Sequence, residues 1–330
     1  MKHKISSVFA LVLVAAIAVV VIWGWVPPEA ASANCVLDRN AAWLSVDWTS
    51  TPADEAAIAR LAEDASRRKL EYLFPYASYV KPGGTFSNSY TYAPRFVSIF
   101  RRFNRDTRLL AWVGIAVKNE SGLGVNGPVD LQDEETRQRI VAFIADLVRQ
   151  GQFDGVHLDV EPIWNNDAGY LRLIQEVRIA LGPGHIVSVA GGQWIPDWLV
   201  WVPTLGQLRW SSAYYRAVAQ NVDQIVSMTY DSYMTLPELY RFWLREEVRG
   251  IRTSVSGSNV ELLFGVSVSR EDTASHHPSA ENLQSGLAGI CAGLSPANVP
   301  SHANGVAIYA SWEAETQDWQ VWDNWQKGLR

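Results

Sequence analysis

The 330-residue sequence lacks the features that mark several large classes of protein. Its formal net charge is -6, and no stripe of basic residues suggests a nucleic-acid partner. It has no internal repeat, no low-complexity linker and, beyond its N-terminus, no apolar run long enough to span a membrane. Hydrophobic residues make up 48% and charged residues 19%, a balance typical of a chain that folds around a sizeable core.

Cysteine is also scarce, since Cys35 and Cys291 are the two copies in the sequence. An oxidising compartment permits a disulfide between them. Their spacing does not show that they meet in the fold. Two unpaired cysteines are therefore the alternative, and the sequence leaves this choice open.

The N-terminus has the pattern of a targeting segment. Lys2 and Lys4 precede an apolar run of 19 residues, Val8–Val26, and Ala31-Ser32-Ala33 follows as a candidate cleavage site. The run is long for a signal peptide and sufficient to cross a bilayer. Residues 1–33 are therefore interpreted as a signal peptide or a membrane anchor. Both place the rest of the chain outside the cytoplasm, secreted or attached to the membrane.

From residue 41 onward, short apolar runs alternate with longer helical patterns. Eight such alternations predict a closed (β/α)8 barrel, the TIM-barrel fold, as a single domain. A doubly wound open sheet is the alternative, although its usual glycine-rich turn after the first strand is missing. Two long loops, Lys81–Tyr92 and Lys118–Leu131, are expected on the catalytic face. The predicted strands are Trp43–Asp47, Leu70–Phe74, Leu109–Ile115, Gly155–Glu161, Ile186–Ala190, Gln224–Tyr230, Leu262–Val268 and Gly305–Tyr309.

Helical spacing lies between these strands. Thr51 and Pro52 provide an N-cap and a first-turn proline for the first helix. The last helix has a predicted core-facing stripe of three tryptophans: Trp319, Trp322 and Trp325. The predicted helices are Ala53–Lys69, Glu134–Gln150, Tyr170–Ala180, Leu236–Val255, Glu281–Leu294 and Glu313–Leu329.

The segment FDGVHLDVE carries the strongest chemical signal. Side chains alternate along a strand, so His157, Asp159 and Glu161 share one face and point into the barrel. Buried acids are costly without partners or a task, and the C-terminal ends of barrel strands carry catalysis. Neighbouring carboxylates disfavour being charged together, so one can hold a proton while the other stays ionised. That arrangement suits glycoside cleavage, with a purely stabilising buried network as the alternative.

Two motifs resemble those of glycoside hydrolase family 18, the chitinase-like barrels. The fourth strand of that family reads D-G-x-D-x-D-x-E, which Asp154, Gly155, Asp159 and Glu161 match in register. The family's M-x-Y-D motif at the end of strand six is similar to Met228-Thr229-Tyr230-Asp231. The resemblance covers the chain from about residue 40 to its end, within a predicted barrel domain of residues 34–330. It implies hydrolysis of β-linked N-acetylhexosamine polymers, such as chitin-like chains, peptidoglycan or N-glycan cores.

The resemblance also implies a retaining mechanism in which the sugar's own 2-acetamido oxygen is the nucleophile. Glu161 would act first as the acid and then as the base. Asp159 would orient the acetamido group and stabilise it as it becomes an oxazolinium ion. Tyr230 would hydrogen-bond the acetamido oxygen, while Asp231 and Met228 would help to bind the sugar. No cofactor is implied.

Two positions depart from the family pattern. His157 replaces the first acid of the D-x-D-x-E core. At the substrate site it could hydrogen-bond Asp159 and, if protonated, favour the ionised carboxylate, which predicts altered pH dependence or weaker activity. The alternative is an ordinary core histidine. In strand eight the family usually places a tryptophan under the cleavage subsite. Here Tyr309 has the inward parity and Trp312 has the larger ring, so either could stack on the sugar.

Other candidates are weaker. His276 and His277 lie in a loop with no partner at ligand spacing, so no metal site is expected. No Ser-His-Asp arrangement or phosphate loop is evident. Further residues that could line the cleft, or equally lie in the core or a loop, are Asp47, Tyr76, Trp112, Gln193 and Trp194.

Two other functions stay open at this point. One is a glycan-binding barrel without activity, for which the exchange at His157 argues and against which the retained Glu161 argues. The other is a barrel hydrolase whose substrate has no acetamido group. We expect a monomer whose partner is a polysaccharide or oligosaccharide.

Overall fold

The computed structural model describes residues 35–52, 54–119, 126–202, 205–294 and 304–329. The predicted targeting segment, residues 1–33, lies outside the described residues, as do residues 120–125 of the predicted loop Lys118–Leu131. Within the described ranges, no helix has the length and apolar character needed to cross a membrane.

Eight parallel strands close into a barrel in chain order, and the last strand pairs with the first. This closure confirms the predicted (β/α)8 fold and excludes the open sheet. The strands are β1 (Asn40–Leu44), β2 (Leu70–Tyr79), β3 (Arg108–Ala116), β4 (Gly155–Glu161), β5 (Ile186–Gly191), β6 (Gln224–Ser227), β7 (Glu261–Ser267) and β8 (Asn304–Tyr309).

Three predicted strands end three or more residues away from their observed ends: β2 runs to Tyr79, five residues past its predicted end, and β1 and β6 stop three residues early. β1 ends at Leu44, before its predicted end at Asp47, because Asp47 begins a short helical turn, Asp47–Ser50. β6 ends at Ser227, three residues before its predicted end. Beyond that point, Thr229 donates its side-chain hydroxyl to the carbonyl of Gly265 at 2.6 Å, so a side chain takes over from the backbone ladder.

Helices pack around the outside of the barrel, and two of them were not predicted. α2 lies between β2 and β3, and α5 is a short helix whose N-cap, Ser211, accepts from the N–H of Tyr214. The predicted N-cap of the first helix is wrong, because Thr51 ends the preceding helical turn and the helix begins at Glu55. The helices are α1 (Glu55–Arg67), α2 (Ala93–Phe103), α3 (Glu134–Gly151), α4 (Ala168–Leu181), α5 (Ser212–Ala219), α6 (Pro237–Ser254), α7 (Leu283–Leu294) and α8 (Thr316–Gln326).

The apolar side chains form two layers. The outer layer, between strands and helices, contains Val156, Leu158 and Val160 of β4. The inner layer fills the barrel with aromatic and aliphatic side chains from other strands, and His157 lies among them. The predicted alternation of β4 is therefore confirmed. Burial of one large aliphatic side chain contributes about 1.5–3 kcal/mol, so the two layers together hold the ends of the strands in place.

Two distant parts of the chain tie the barrel together. Trp322 of α8 is fully buried, and Trp319 and Trp325 pack against the outer layer, which confirms the predicted tryptophan stripe. Cys35 and Cys291 form a disulfide, with their Cα atoms 5.3 Å apart. This bond joins the segment before β1 to α7 and resolves the choice that the sequence left open.

Candidate active site

The two carboxylates of β4 lie at the C-terminal end of the barrel. Asp159 is partly buried, and Glu161 ends the strand with its side chain exposed. Trp112 of β3 donates its indole N–H to Asp159 Oδ2 at 2.9 Å. The other oxygen, Oδ1, is buried and has no hydrogen-bond partner among the described residues. An unpartnered buried oxygen is costly, so this atom is suited to accept from a ligand that reaches it.

Asp159 and Glu161 both have pKa values above the ordinary range of their carboxyl groups. The charge of Asp159 raises the pKa of Glu161 above its ordinary value, and desolvation and the charge of Asp231 add to the rise. Burial raises the pKa of Asp159, while the hydrogen bond from Trp112 opposes that rise. Because a neighbouring charge is the largest cause at Glu161, the effect persists although the side chain opens to solvent. The two shifts favour a proton on Glu161 and a charge on Asp159.

His157 lies below the pair, inside the closed barrel. Trp43 donates its indole N–H to His157 Nε2 at 3.1 Å, and His157 Nδ1 lies 2.8 Å from Ser188 Oγ. An indole N–H can only donate, so Nε2 accepts and the proton of the neutral ring sits on Nδ1. The ring also stacks on Phe74, with 4.1 Å between centroids. Burial lowers the pKa of His157 to about 3.

These contacts correct two expectations about His157. Both of its ring nitrogens are engaged by Trp43 and Ser188, so the ring does not hydrogen-bond Asp159. A neutral ring also does nothing to favour the ionised carboxylate. Its side chain is fully buried, which makes it a core residue of the barrel and not a residue that contacts substrate. The group that holds Asp159 is Trp112, which sequence reasoning ranked among the weaker candidates.

The motif after β6 brings its tyrosine to the carboxylates. Tyr230 is 6% exposed and stacks on Tyr309, with 5.1 Å between ring centroids. Burial is the main cause that raises the pKa of Tyr230. Electrostatic interaction with Tyr309 and with the nearby carboxylates of Asp159, Asp231 and Glu161 adds to the rise. The hydroxyl therefore stays protonated as a donor, within electrostatic reach of both acids.

A charged cluster, in which His276 and Glu281 are buried and Asp231 is exposed, fixes the loop that follows this tyrosine. Asp231 has a φ of 58°, and its backbone N–H donates to Glu281 Oε2 at 2.7 Å. His276 Nδ1 lies 3.3 Å from Asp231 Oδ1 and from Glu281 Oε2. Burial lowers the pKa of His276, but the bonds to Asp231 and Glu281 outweigh burial and raise it to about 10. The imidazolium therefore links the side chain of Asp231 to the protein interior.

This cluster corrects the expectation that His276 has no partner at ligand spacing. One ligand atom each from Asp231, His276 and Glu281 lies within 4.8 Å of the others, a spacing that could hold a metal ion. Glu281 already accepts from the backbone N–H groups of Asp231 and Ser232. A protonated His276 offers no lone pair to a metal. Ion pairing and hydrogen bonding therefore account for the three side chains.

The two aromatic candidates near the end of β8 occupy different positions. Tyr309 packs in the barrel mouth against Tyr230. Trp312 lies in a short helical turn, Ser311–Glu313, and is 45% exposed. Its ring lies beside that of Trp112, with 6.3 Å between centroids and 24° between the planes. Trp312 is thus the candidate with ring surface available to a ligand.

A cleft of about 410 Å³ opens beside Glu161. Its lining includes five residues that sequence reasoning had singled out: Glu161, Met228, Tyr230, Asp231 and Gln193. Gln193 also donates to the backbone carbonyl of Tyr230 at 2.6 Å, which fixes the position of the motif. Arg209 and Tyr233 also line this cleft, and they were not predicted because they lie in loops without a recognisable motif.

The remaining weak candidates separate into two groups. Tyr76 lies near Asp159, and burial together with that charge raises its pKa to about 12. The others are away from the cleft. Asp47 lines a separate cavity of about 470 Å³, Trp194 packs on the outer layer, and His277 binds Asp272 at 2.8 Å.

The family model of Glycosyl hydrolases family 18 matches residues 66–326 of this chain. No curated protein matches it. Similar solved structures include the spore cortex-lytic enzyme SleL of Bacillus cereus, with 14% identity, a TM-score of 0.57, and 89% of this chain and 75% of that chain covered. The chitinase RmChi1 of Rhizomucor miehei has 16% identity and a TM-score of 0.57, with 88% and 100% covered. The chitinase ChiB of Flavobacterium johnsoniae has 14% identity and a TM-score of 0.56, with 88% and 94% covered. At these identities the structures share the fold.

Proposed function

We propose, because this chain belongs to family 18 of the glycosyl hydrolases and is a glycoside hydrolase, that its cleft hydrolyses β-linked N-acetylhexosamine chains. The observation that carries the proposal is the buried, unpartnered Oδ1 of Asp159 on the same strand face as Glu161, whose pKa the charge of Asp159 raises. The acetamido N–H of the sugar is a donor that this oxygen can accept. A sugar without that group would leave the buried oxygen without a donor.

In the proposed reaction, Glu161 donates its proton to the leaving glycosidic oxygen. The 2-acetamido oxygen attacks the anomeric carbon, and Asp159 accepts from the acetamido N–H and stabilises the positive charge of the oxazolinium ion. Tyr230 donates its hydroxyl proton in a hydrogen bond to the acetamido oxygen and aligns it for attack. Glu161, now ionised, removes a proton from the water that opens the ring. Two inversions at one carbon give net retention.

The surrounding residues would hold the sugar in place. Trp312 offers an exposed ring face on which the apolar face of a hexose can pack. Asp231, held by His276, can accept from sugar hydroxyls, and Met228 lines the same cleft. Trp112 fixes the orientation of Asp159 through its indole N–H.

We further propose that the enzyme works outside the cytoplasm, on a cell-envelope or environmental polymer. Residues 1–33 would be a signal peptide or membrane anchor, and residues 34–330 the catalytic domain. The disulfide between Cys35 and Cys291 supports this location, because such bonds persist in oxidising compartments. The match to a spore cortex-lytic enzyme and to chitinases is compatible with either a wall glycan or chitin.

The direct test compares wild type with Glu161→Gln on labelled chito-oligosaccharides and on peptidoglycan. We expect the variant to lose about 10²–10⁴-fold in kcat, since it cannot transfer a proton. Glu63→Gln, an exposed change on α1, is the matched control and should leave turnover intact. Equal turnover by Glu161→Gln and wild type would contradict the assignment. Tight sugar binding by wild type with no product after long incubation would favour a glycan-binding barrel.

A further inference from the structure

The loop between β5 and α5 places an arginine on the wall of the cleft. Arg209 lines the same cleft as Glu161, Tyr230 and Asp231. Among the described residues of that lining, it is the one with a permanent positive charge. A cation beside an active cleft attracts negatively charged parts of a substrate, and its effect is strongest where water is excluded.

Two residues of α6, Trp243 and Glu247, interact with this arginine. The guanidinium of Arg209 lies over the ring of Trp243, 5.2 Å from its centroid. The carboxyl of Glu247 is buried and interacts electrostatically with it. Glu247 Oε1 is already engaged, because it accepts from the backbone N–H of Trp194 at 2.7 Å. The arginine is therefore fixed in place without a bidentate carboxylate partner.

The hydrogen-bonding capacity of Arg209 is also not used up. Its Nη1 is buried and has no hydrogen-bond partner among the described residues. A guanidinium has five N–H donors in a planar fork that fits two carboxylate oxygens at once. Donors left unpaired in a half-buried site are suited to an acceptor that arrives with a ligand.

Asp159, Asp231 and Glu161 are engaged elsewhere, and Glu247 of α6 is the carboxyl that interacts electrostatically with Arg209. Asp159 accepts from Trp112, Asp231 faces the protonated His276, and the raised pKa of Glu161 favours its protonated form. Each of these carboxyl groups thus has a different task or partner. The cleft then presents one fixed positive charge close to the place where a glycan chain would pass.

We propose that Arg209 selects N-acetylhexosamine chains that carry a carboxylate substituent over neutral chains of the same linkage. The lactyl carboxylate of an N-acetylmuramic acid residue has the required chemistry, because its two oxygens match the guanidinium fork. The proposal rests on the proposed function, since it names the substrate class of the same cleft. Arg209 is assigned to substrate binding and takes no part in proton transfer.

The test measures binding, so that it does not depend on turnover. In the Glu161→Gln background, calorimetry compares a tetrasaccharide of alternating N-acetylglucosamine and N-acetylmuramic acid with the same molecule whose carboxyl groups are converted to carboxamides. We expect the carboxylate form to bind about tenfold or more tightly, as a charge-assisted bidentate pair would provide. Arg209→Gln should bring this ratio close to one. Arg209→Lys should retain part of it, since a lysine keeps the charge but not the fork.

Arg216→Gln, an exposed change on α5, is the matched control and should keep the ratio of the parent protein. A ratio near one before any change at Arg209, or equal losses for both ligands in Arg209→Gln, would overturn the proposal and assign the arginine to packing against Trp243. A clear ratio with no hydrolysis by the wild type would instead contradict the proposed function and leave the selection by Arg209 standing.

Discussion

Trp112 donates its indole N–H to Asp159 Oδ2 across 2.9 Å, and this bond sets the direction of the carboxylate. His157 lies two residues before Asp159 on β4, but its ring nitrogens are engaged by Trp43 and Ser188. The carboxylate is thus held from β3, while its second oxygen stays free for a ligand.

Trp112→Phe should lower kcat on an N-acetylhexosamine substrate by roughly ten- to hundredfold, because a hydrogen bond to a charged group is worth about 1.5–3 kcal/mol. The phenyl ring keeps most of the packing, so the change acts mainly on the direction of Asp159. Steady-state kinetics on labelled oligosaccharides provide the measurement. Trp319→Phe on α8, remote from the cleft, serves as control, and an equal loss in both variants would point to a general packing effect.

The activity should have a bell-shaped dependence on pH. Glu161 must be protonated, so activity falls as pH rises through its raised pKa, and Asp159 must be ionised, so activity falls as pH drops through its own raised pKa. Asp159→Asn removes the charge that raises the pKa of Glu161. The residual activity of this variant should therefore begin its alkaline decline at a lower pH than that of wild type. An alkaline limb that stays in place would show that another group controls it.

The link between His276 and its two carboxylates should appear as pH-dependent stability. Its pKa is raised from 6.5 to about 10 in the folded protein, so its stabilising effect is complete below pH 6.5 and is lost as pH rises toward 10. Thermal melts should show His276→Gln less stable than wild type at pH 6, with the two converging near pH 10. His277→Gln, an adjacent change outside the cluster, removes only the contact with Asp272 and should not show this convergence with wild type near pH 10. A stability difference that does not change with pH would contradict the charged state.

The disulfide joins Cys35 to Cys291, which are 256 residues apart in the sequence. Its removal should cost about 2–4 kcal/mol of unfolding free energy. In a protein of this size that corresponds to a fall in Tm of roughly 4–10 °C. Cys291→Ser should show this fall, and a reductant should lower the Tm of wild type but not of the variant. Equal response of both proteins to the reductant would show that the bond is not formed.

Much of the fold could be predicted from local patterns. The alternation in β4 placed Asp159 and Glu161 on the inner face, and the apolar runs gave the eight strands. The helix α5 was missed because it has only 8 residues. The helix α2 has 11 residues and a clear apolar face, so the sequence contained a signal for it that the prediction did not use. Boundaries failed where a side chain replaced the backbone ladder, as at Thr229.

The partners of the site residues could not be predicted, because they come from distant parts of the chain. His157 and Trp43 are 114 residues apart, and Glu281 lies 50 residues beyond the Asp231 N–H that it binds. A sequence pattern shows which residues share a face of one strand, but not which side chain from another strand meets them. The substitution at His157 therefore suggested a change at Asp159 that the barrel interior does not produce.

In the proposed mechanism the acetamido group attacks while Asp159 and Tyr230 hold it and Glu161 moves the proton. Time-resolved proton NMR of the anomeric signals, on an N-acetylhexosamine oligosaccharide that the wild type turns over, measures the stereochemistry of this step. We expect the first product to have the β configuration of the bond cleaved and to convert slowly to the α form. Appearance of the α anomer first would mean direct attack by water and would rule out attack by the acetamido group.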